Sequence, residues 1–345
     1  MESLTLPPLH QTTSITISDD TGVGAARRVA TAYASAIGFD DTRKGNLALV
    51  VTEAATNLLY HAREGEILLR QLRDGENDGI ELLAVDRGPG MRNVQQCLVD
   101  GYSTLGTRGA GLGSIARNAD CFEIFSAPDR GTIVLAQVWK SRRAPVTTGG
   151  KFGAICIPVK GEIVCGDGFG VASTPERTRI ALFDGLGHGQ GAADATLVGL
   201  REFHRHAGFG PAALLGHLHE VMRSTRGAAA AIVEIEPGSQ RLRFAGVGNC
   251  AGSIHQPGLG VRPQGLASHN GTVGAQLPRV SEFNHAWPHN GLLVMHTDGL
   301  ATRWNLDDYP GLSGRHPSLI AAVLYRDFSR NRDDVTVLAF ATHSA

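Results

Sequence analysis

At 345 residues with 42% hydrophobic side chains, the chain is too long for one ordinary core and matches two domains of typical size. Its 32 basic and 33 acidic residues leave a formal charge of -1, and the basic pairs Arg27-Arg28, Arg43-Lys44 and Arg142-Arg143 are short and scattered, so no nucleic-acid partner is expected. Five cysteines without a C-x-x-C spacing read as reduced thiols; with no signal-type leader and no apolar run of membrane-spanning length, the expected setting is soluble and cytoplasmic, with no membrane partner.

Residues 1–10 contain prolines, lack periodicity and read as a loose leader. Residues 12–17 alternate polar and apolar and run into Ser18-Asp19-Asp20, a strand followed by a helix cap. Val23, Ala26, Val29, Ala30, Tyr33, Ala34 and Ile37 predict one helix; a second is predicted from Asp40-Asp41 to about His61, with Leu47, Val51, Ala54, Ala55 and Leu58 inward. The second helix carries Glu53 and Asn57 one turn apart on one face. Polar groups among such neighbours need a partner, unless the pair is a helix-stabilising one turned to solvent.

Strands are predicted at 66–73 and 80–85, joined by a turn with Gly75 and Gly79. The second strand ends in Asp86-Arg87-Gly88-Pro89-Gly90, a carboxylate at a strand end with glycines after it. A loop over residues 101–113 closes on Gly109-Ala110-Gly111-Leu112-Gly113 and opens a helix continuing over about 114–120. Backbone N–H groups at such a helix start make a phosphate site without a charged side chain. The spacing is G-x-G-x-G, no strand leads into it, and strands at 121–126 and 132–139 follow it. Helices first and then a meander of strands suit an antiparallel α/β sandwich better than a doubly wound dinucleotide fold.

On these residues, 10–140 resemble the GHKL ATP-binding family, and within it the RsbT-like and anti-sigma-factor kinases. Glu53-x-x-x-Asn57 is similar to the family's N-box, Asp86-x-Gly88-x-Gly90 to its first glycine box, Gly109-x-Gly111-x-Gly113 to its second, and Gly131-Thr132 to the start of its last strand. The resemblance implies ATP as cofactor, Asn57 as a ligand of Mg²⁺ on the phosphates, Glu53 as catalytic base and Asp86 as acceptor for the adenine amino group. It also implies nucleotide contacts from Gly88, Gly90, Gly109, Gly111, Gly113 and Thr132. No phosphoacceptor histidine precedes the N-box, which argues against a sensor histidine kinase.

Residues 141–151 mix basic residues with Pro, Thr and Gly and are the natural linker to a second domain over 152–345. There, strands at 154–159 and 162–165 around Lys160-Gly161 read as a hairpin. Strands at 169–173 and 178–183 precede helices at 192–206 and 211–225, the latter with Pro at its start. Strands return at 230–235, introduced by the alanine run from Ala228 to Ala231, and at 242–247, 252–255 and 292–296; a helix at 317–328 and a strand at 335–341 close the chain. Two sheets enclosing a carboxylate cluster, with helices outside, is the simplest architecture, giving an α+β chain: a GHKL α/β sandwich followed by a phosphatase-type β-sandwich flanked by helices.

The carboxylates are the strongest signal in this half. The apolar run Arg179 to Phe183 stops at Asp184, followed by four glycines in seven residues. An Asp-Gly turn is the plain alternative. Asp recurs at other strand ends, however, at Asp167, Asp298 and Asp333-Asp334, without an accompanying Cys or His set, and this suits hard cations such as Mg²⁺ or Mn²⁺. Gly166-Asp167, Asp184-Gly185-x-Gly187-His188-Gly189, Thr297-Asp298-Gly299 and Asp333-Asp334-x-Thr336 together resemble the metal-dependent Ser/Thr protein phosphatases of the SpoIIE and RsbX branch. The resemblance implies Asp167, Asp184, Asp298 and Asp333 as metal ligands, the Gly185 carbonyl completing one shell, and Asp184 as the central catalytic residue. Two ions would activate water and neutralise phosphoryl oxygens. The branch lacks the phosphate-binding Arg of the larger phosphatases, and the sequence names no substitute. His188 reads as a turn histidine, with a late proton donor as the alternative.

The function expected from both resemblances is a bifunctional partner-switching regulator, with kinase and opposing phosphatase acting on Ser/Thr of a STAS-type anti-sigma antagonist. A sigma factor or downstream regulator is a further expected partner. The alternatives are a nucleotide-switched binding module and a degenerate sensor gating the phosphatase.

Overall fold

A computed structural model describes residues 8–62, 64–97, 111–142, 150–277 and 279–342. The chain divides into two compact units, Met1–Val146 and Thr147–Ala345. Residues 1–7 of the leader, the glycine-loop residues up to Gly109 and Ala110, and most of the predicted linker lie outside the described residues.

The first unit runs β1 (Thr13–Ile17), α1 (Asp20–Ala36), α2 (Asp41–His61), β2 (Gly65–Asp74), β3 (Asn77–Asp86), α3 (Val94–Cys97), α4 (Gly111–Asn118), β4 (Cys121–Ser126) and β5 (Thr132–Trp139). Both long helices start where the sequence supplies an acceptor for orphan N–H groups. Asp19 Oδ1 takes Thr21 N at 2.9 Å and Gly22 N at 3.1 Å, and Asp40 Oδ1 takes Arg43 N at 2.7 Å. The strands form one antiparallel sheet in the order β1-β2-β3-β5-β4. Ala30, Leu47, Val51, Ala54 and Leu58 of the helices pack with Ile67, Leu69, Leu82 and Val134 of the sheet. Arg43 is buried, pairs with Asp120 and donates from Nε to the Trp139 carbonyl at 2.7 Å, fixing the start of α2 to the end of β5.

The second unit runs β6 (Lys151–Ile157), β7 (Asp167–Ser173), β8 (Thr178–Gly185), α5 (Gln190–Arg205), α6 (Pro211–Val221), β9 (Ala228–Glu236), β10 (Arg241–Val247), β11 (Ala251–His255), β12 (Gln264–Leu266), β13 (Phe283–Ala286), β14 (Leu292–His296), α7 (Pro317–Phe328) and β15 (Val335–Ala341). Two five-stranded sheets result, ordered β13-β10-β9-β8-β7 and β12-β11-β14-β15-β6. One buried cluster joins them, with Phe169, Ile180, Leu182, Val233 and Phe244 from the first sheet and Cys156, Leu293, Met295, Leu338 and Phe340 from the second. Leu200, Phe203, Leu214, Leu215 and Leu218 of α5 and α6 cover the outer face of the first sheet. α7 lies on β6 of the second sheet so closely that a Cβ at Gly153 would overlap the Ser318 backbone.

The predicted hairpin at 154–165 does not form. β6 pairs along its whole length with β15, from Val335↔Ile157 to Ala341↔Lys151, while β7 belongs to the other sheet. Residues 158–166 cross between the sheets, and two of their N–H groups find a side chain in place of a strand partner. Val159 N and Gly166 N each donate to Asp334, to Oδ1 and Oδ2, both at 2.6 Å. The helix predicted to reach Thr225 ends at Val221 and passes into a 3₁₀ turn, Met222–Ser224. The Thr225 hydroxyl caps that turn by donating to Met222 O at 2.7 Å. β12 and β13 have no counterpart among the predicted elements. Both are short edge strands defined by the partner they meet.

Candidate functional site

In the first unit, Glu53 and Asn57 of α2 face the first residue of α4. A Cβ at Gly111 would lie 3.0 Å from Asn57 Oδ1 and 3.1 Å from Glu53 Oε2, so a side chain there would crowd both groups. Asn57 Nδ2 is buried without a hydrogen-bond partner among the described residues. An amide in that state fits a ligand contact better than a pair turned to solvent. Asp86, at the end of β3, accepts on Oδ1 from Gly88 N at 2.6 Å and from Thr132 N at 3.2 Å, drawing the start of β5 against the turn after β3. Gly90 and Gly131 hold φ of +69° and +67°, where any Cβ would overlap the carbonyls of Ala127 and Asp86 respectively. Ser126, which the sequence reading passed over, ties this corner together. Its Oγ accepts from Met91 N at 2.8 Å and lies 2.8 Å from Thr132 Oγ1. Gly113 is buried in α4, and Gly109 lies outside the described residues.

In the second unit the carboxylates come from both sheets. Asp167 and Asp184 are register partners on β7 and β8 of one sheet. Asp298 follows β14 and Asp333 precedes β15 on the other. Asp184 is thus the penultimate residue of its strand, one position deeper than a strand ending at Phe183 would put it. Glycines bring the surrounding backbone in. A Cβ at Gly185 would lie 2.5 Å from Ala192 O and 2.7 Å from Gly166 O, and one at Gly299 would overlap Asp334 O.

Each carboxylate has a different set of partners. Asp167, buried, accepts from Thr297 Oγ1 at 2.7 Å, and the same hydroxyl accepts from Thr336 N at 2.9 Å. Asp298 Oδ2 takes Asn249 Nδ2 at 2.6 Å, and Asp333 Oδ1 takes Asp334 N at 2.9 Å. Asp334 itself spends both oxygens on the 158–166 crossing. Asp184 differs: its Oδ2 is buried with no hydrogen-bond partner among the described residues. Burial, then the charges of Asp298, Asp333 and Asp334, push the Asp184 carboxyl up to about 7. Burial and then the neighbouring Asp184 charge push Asp167 well above the usual carboxylate range.

An oxygen-only donor set with one unsatisfied buried oxygen and mutually repelling charges fits a hard divalent cation. Cys250, adjacent to this cluster, is held protonated by burial first and then by Asp184, Asp167 and Asp298, so it behaves as an apolar wall and not as a nucleophile.

Beside the carboxylates, the turn of Gly187, His188 and Gly189 leads into α5, whose N-cap Gly189 offers no side-chain cap. His188 is largely exposed, its Nδ1 2.8 Å from Glu162 Oε1. Over this turn lies Arg226, which the sequence reading did not single out. Its Nε would be 2.5 Å from a Cβ at Gly191, and Nη1 reaches His188 O at 3.5 Å. Arg226 stands 42 positions after Asp184, and only the return of β9 beside β8 brings them into one neighbourhood.

Residues 17–138 match the family model of the histidine kinase-like ATPase domain, and residues 174–343 match that of stage II sporulation protein E (SpoIIE). The chain joins a kinase-like ATPase domain to a SpoIIE-type phosphatase domain. The first half is similar to the serine/threonine-protein kinase RsbT of Bacillus subtilis, 29% identical over 131 residues, which span 38% of this chain and 98% of RsbT. A second similarity is to the phosphoserine phosphatase RsbX of the same organism, 23% identical over 142 residues, 41% of this chain and 70% of RsbX. A solved structure described as the bacterial stressosome, a modular system adapted to control secondary messenger signalling, superposes with a TM-score of 0.50 at 23% identity over 55% of this chain and 98% of its own. At that identity the superposition speaks for the fold. The family matches and the relatives' names, a Ser/Thr kinase and a phosphoserine phosphatase, speak for an enzyme. Among the described residues no helix is long and apolar enough to cross a membrane.

Proposed function

We propose that this chain is a bifunctional partner-switching regulator whose ATPase domain phosphorylates, and whose SpoIIE-type domain dephosphorylates, Ser/Thr of a STAS-type anti-sigma antagonist. The observation that carries the phosphatase half is the unpartnered buried Asp184 Oδ2 among carboxylates contributed by two sheets. The names of the two Bacillus subtilis relatives, a Ser/Thr kinase and a phosphoserine phosphatase, support opposed activities on one substrate class.

In this reading Asp167, Asp184, Asp298 and Asp333, with the Gly185 carbonyl, hold divalent cations, Mn²⁺ or Mg²⁺. Bound there, the cations supply Lewis-acid activation of water and charge neutralisation at the phosphoryl group. The chain's own contribution is orientation: Thr297 fixes Asp167, Asn249 fixes Asp298, and the Asp334 N–H fixes Asp333. Arg226 supplies the cation that receives a phosphoryl oxygen above the uncapped start of α5. In the ATPase domain, Asn57 holds Mg²⁺ on the ATP phosphates, Asp86 accepts from the adenine amino group, and Gly88, Gly90, Gly109, Gly111, Gly113 and Thr132 line the nucleotide. Glu53, one turn before Asn57 on α2, accepts the proton of the substrate hydroxyl.

The test is to incubate the full chain with a STAS-domain protein, first with Mg-ATP and then with Mn²⁺ after removing nucleotide, and to follow the partner's mass. Gain and then loss of one phosphate is expected. Loss without gain, with ATP still bound, would leave the phosphatase in place and replace the kinase by a nucleotide-switched binding module.

A further inference from the structure

α5 and α6 pack side by side on the outside of the first sheet, at the end of α5 remote from the Asp184 turn. Glu202 and His206 are one turn apart on α5, and His217 lies in the middle of α6. Both imidazoles aim at one oxygen. His206 Nε2 is 3.2 Å and His217 Nε2 3.0 Å from Glu202 Oε2, and the two rings lie 4.2 Å apart between centroids. The other carboxylate oxygen is engaged separately, by Arg205 Nη1 at 3.0 Å. Phe209, in the connection between the helices, stacks on His206 at 4.8 Å and meets His217 edge-on at 5.7 Å, so the rings are held by packing and not by their polar atoms alone.

We infer that Glu202, His206 and His217 form a binding site for a transition-metal dication of the Zn²⁺ class, clamping α5 to α6. The three ligand atoms lie within 4.8 Å of one another. A tetrahedral Zn²⁺ with bonds of about 2.0–2.1 Å separates its ligand atoms by about 3.3 Å. The two separations from Glu202 Oε2, 3.2 and 3.0 Å, already approach that spacing, and the two nitrogens lie within 4.8 Å of each other. Two imidazoles and one carboxylate select Zn²⁺, Co²⁺ or Ni²⁺ over Mg²⁺, and three protein ligands leave a fourth position for water. The donor set is chemically distinct from the oxygen-only cluster around Asp184, and this inference does not rest on the proposed activities. Without a metal, the same three groups form a hydrogen-bonded pair of imidazoles on one carboxylate oxygen, and this is the alternative the experiment must separate.

The full-length protein, stripped with chelator and returned to excess Mg²⁺ to occupy the hard site, is titrated with Zn²⁺ by calorimetry and with Co²⁺ by visible absorption. One Zn²⁺ equivalent and intense tetrahedral Co²⁺ bands are expected, both lost in His206→Asn and in His217→Asn, with circular dichroism confirming that the variants are folded. Wild-type thermal stability rises with Zn²⁺ in the presence of Mg²⁺, and that of the variants does not. Absence of a Zn²⁺ equivalent in the wild type, or an equivalent retained in both variants, would overturn the site. The first of these outcomes would leave a hydrogen-bonded cluster only.

Discussion

The two halves treat their site carboxylates in opposite ways. In the ATPase domain the chain satisfies its own carboxylate: Asp86 is held by Gly88 N and Thr132 N, and glycines at positive φ let backbone crowd the site. In the phosphatase domain carboxylates from two sheets raise one another's charge cost, and Asp184 is left with a buried oxygen that no group among the described residues answers. In the first arrangement the carboxylate is answered by backbone before anything binds, and the group left over is the neutral amide of Asn57. The second holds carboxylates that repel one another; on the proposed reading a cation relieves that repulsion, so stability and activity would depend on the same charge. Sites of the second kind are where a change that improves the empty protein removes the function.

The largest test of that contrast is Asp184→Asn. Metal-dependent dephosphorylation is expected to fall by about 10³-fold or more, while ATP binding is unchanged. The metal-free protein is expected to gain stability at neutral pH. The native Asp184 carboxyl is raised to about 7, so its favourable protonated contribution is complete below about pH 4 and is lost as pH climbs from 4 to 7. That loss is about 4 kcal/mol from a shift of about three units, and Asn never incurs it. Thermal melts of both proteins in chelator at pH 4.5 and 7.5 check the sign: the gap should open with pH. Turnover near normal in the variant, or a gap that closes with rising pH, would remove Asp184 from the centre of the site.

The ATPase site predicts a different pattern. Glu53→Gln should keep Mg-ATP affinity and lose phosphotransfer by about 10²-fold. Asn57→Ala should lose nucleotide affinity as well, measured with a fluorescent ATP analogue. Equal effects of both variants on affinity would merge two roles that are assigned separately above.

Arg226→Ala should lower phosphatase kcat/KM by about 10²-fold with Mn²⁺ affinity unchanged, and Arg226→Lys should recover part of it. A fall in Mn²⁺ affinity of the same size would make Arg226 a support of the turn and not a phosphoryl contact. A smaller change is expected from Thr297→Val, which removes the hydroxyl between Asp167 and the Thr336 N–H. Stability should drop by about 1–3 kcal/mol, with a phosphatase loss smaller than that of Asp184→Asn.

The smallest effect is expected on separating the halves. Cleavage within residues 145–150 should leave nucleotide binding and phosphatase rate of each part within about twofold, since a tether alters local concentration and not the sites themselves. A severalfold change in full-length phosphatase rate on adding an ATP analogue, absent from residues 150–345 alone, would show that the ATPase site and the charged site are coupled.

Much of this molecule is legible in its sequence because local rules and the final structure agree. Asp19 and Asp40 announce helix starts, and the pattern over residues 317–328 and 335–341 gives the last helix and strand to the residue. Among the candidate carboxylates, Asp184 and Asp298 are visible as Asp-Gly pairs after apolar runs, and Asp167 and Asp333 as acids at the start of such runs. The 158–166 segment shows where local reading stops. Its apolar runs flank a Lys-Gly turn as a hairpin would, but β15, far along the chain, takes β6, and Asp334 takes the N–H groups left over.

Residue types and spacing therefore determined the long helices and the acidic strand ends, since capping, periodicity and chain reversal are decided within a few residues. Only the tertiary structure decided which groups meet: Thr297 with Asp167, Asn249 with Asp298, Arg226 with the turn before α5, and His217 with Glu202. Those pairings depend on sheet order and helix docking, and a side chain's partner across a sheet or between two helices leaves no mark on its own neighbours in the chain.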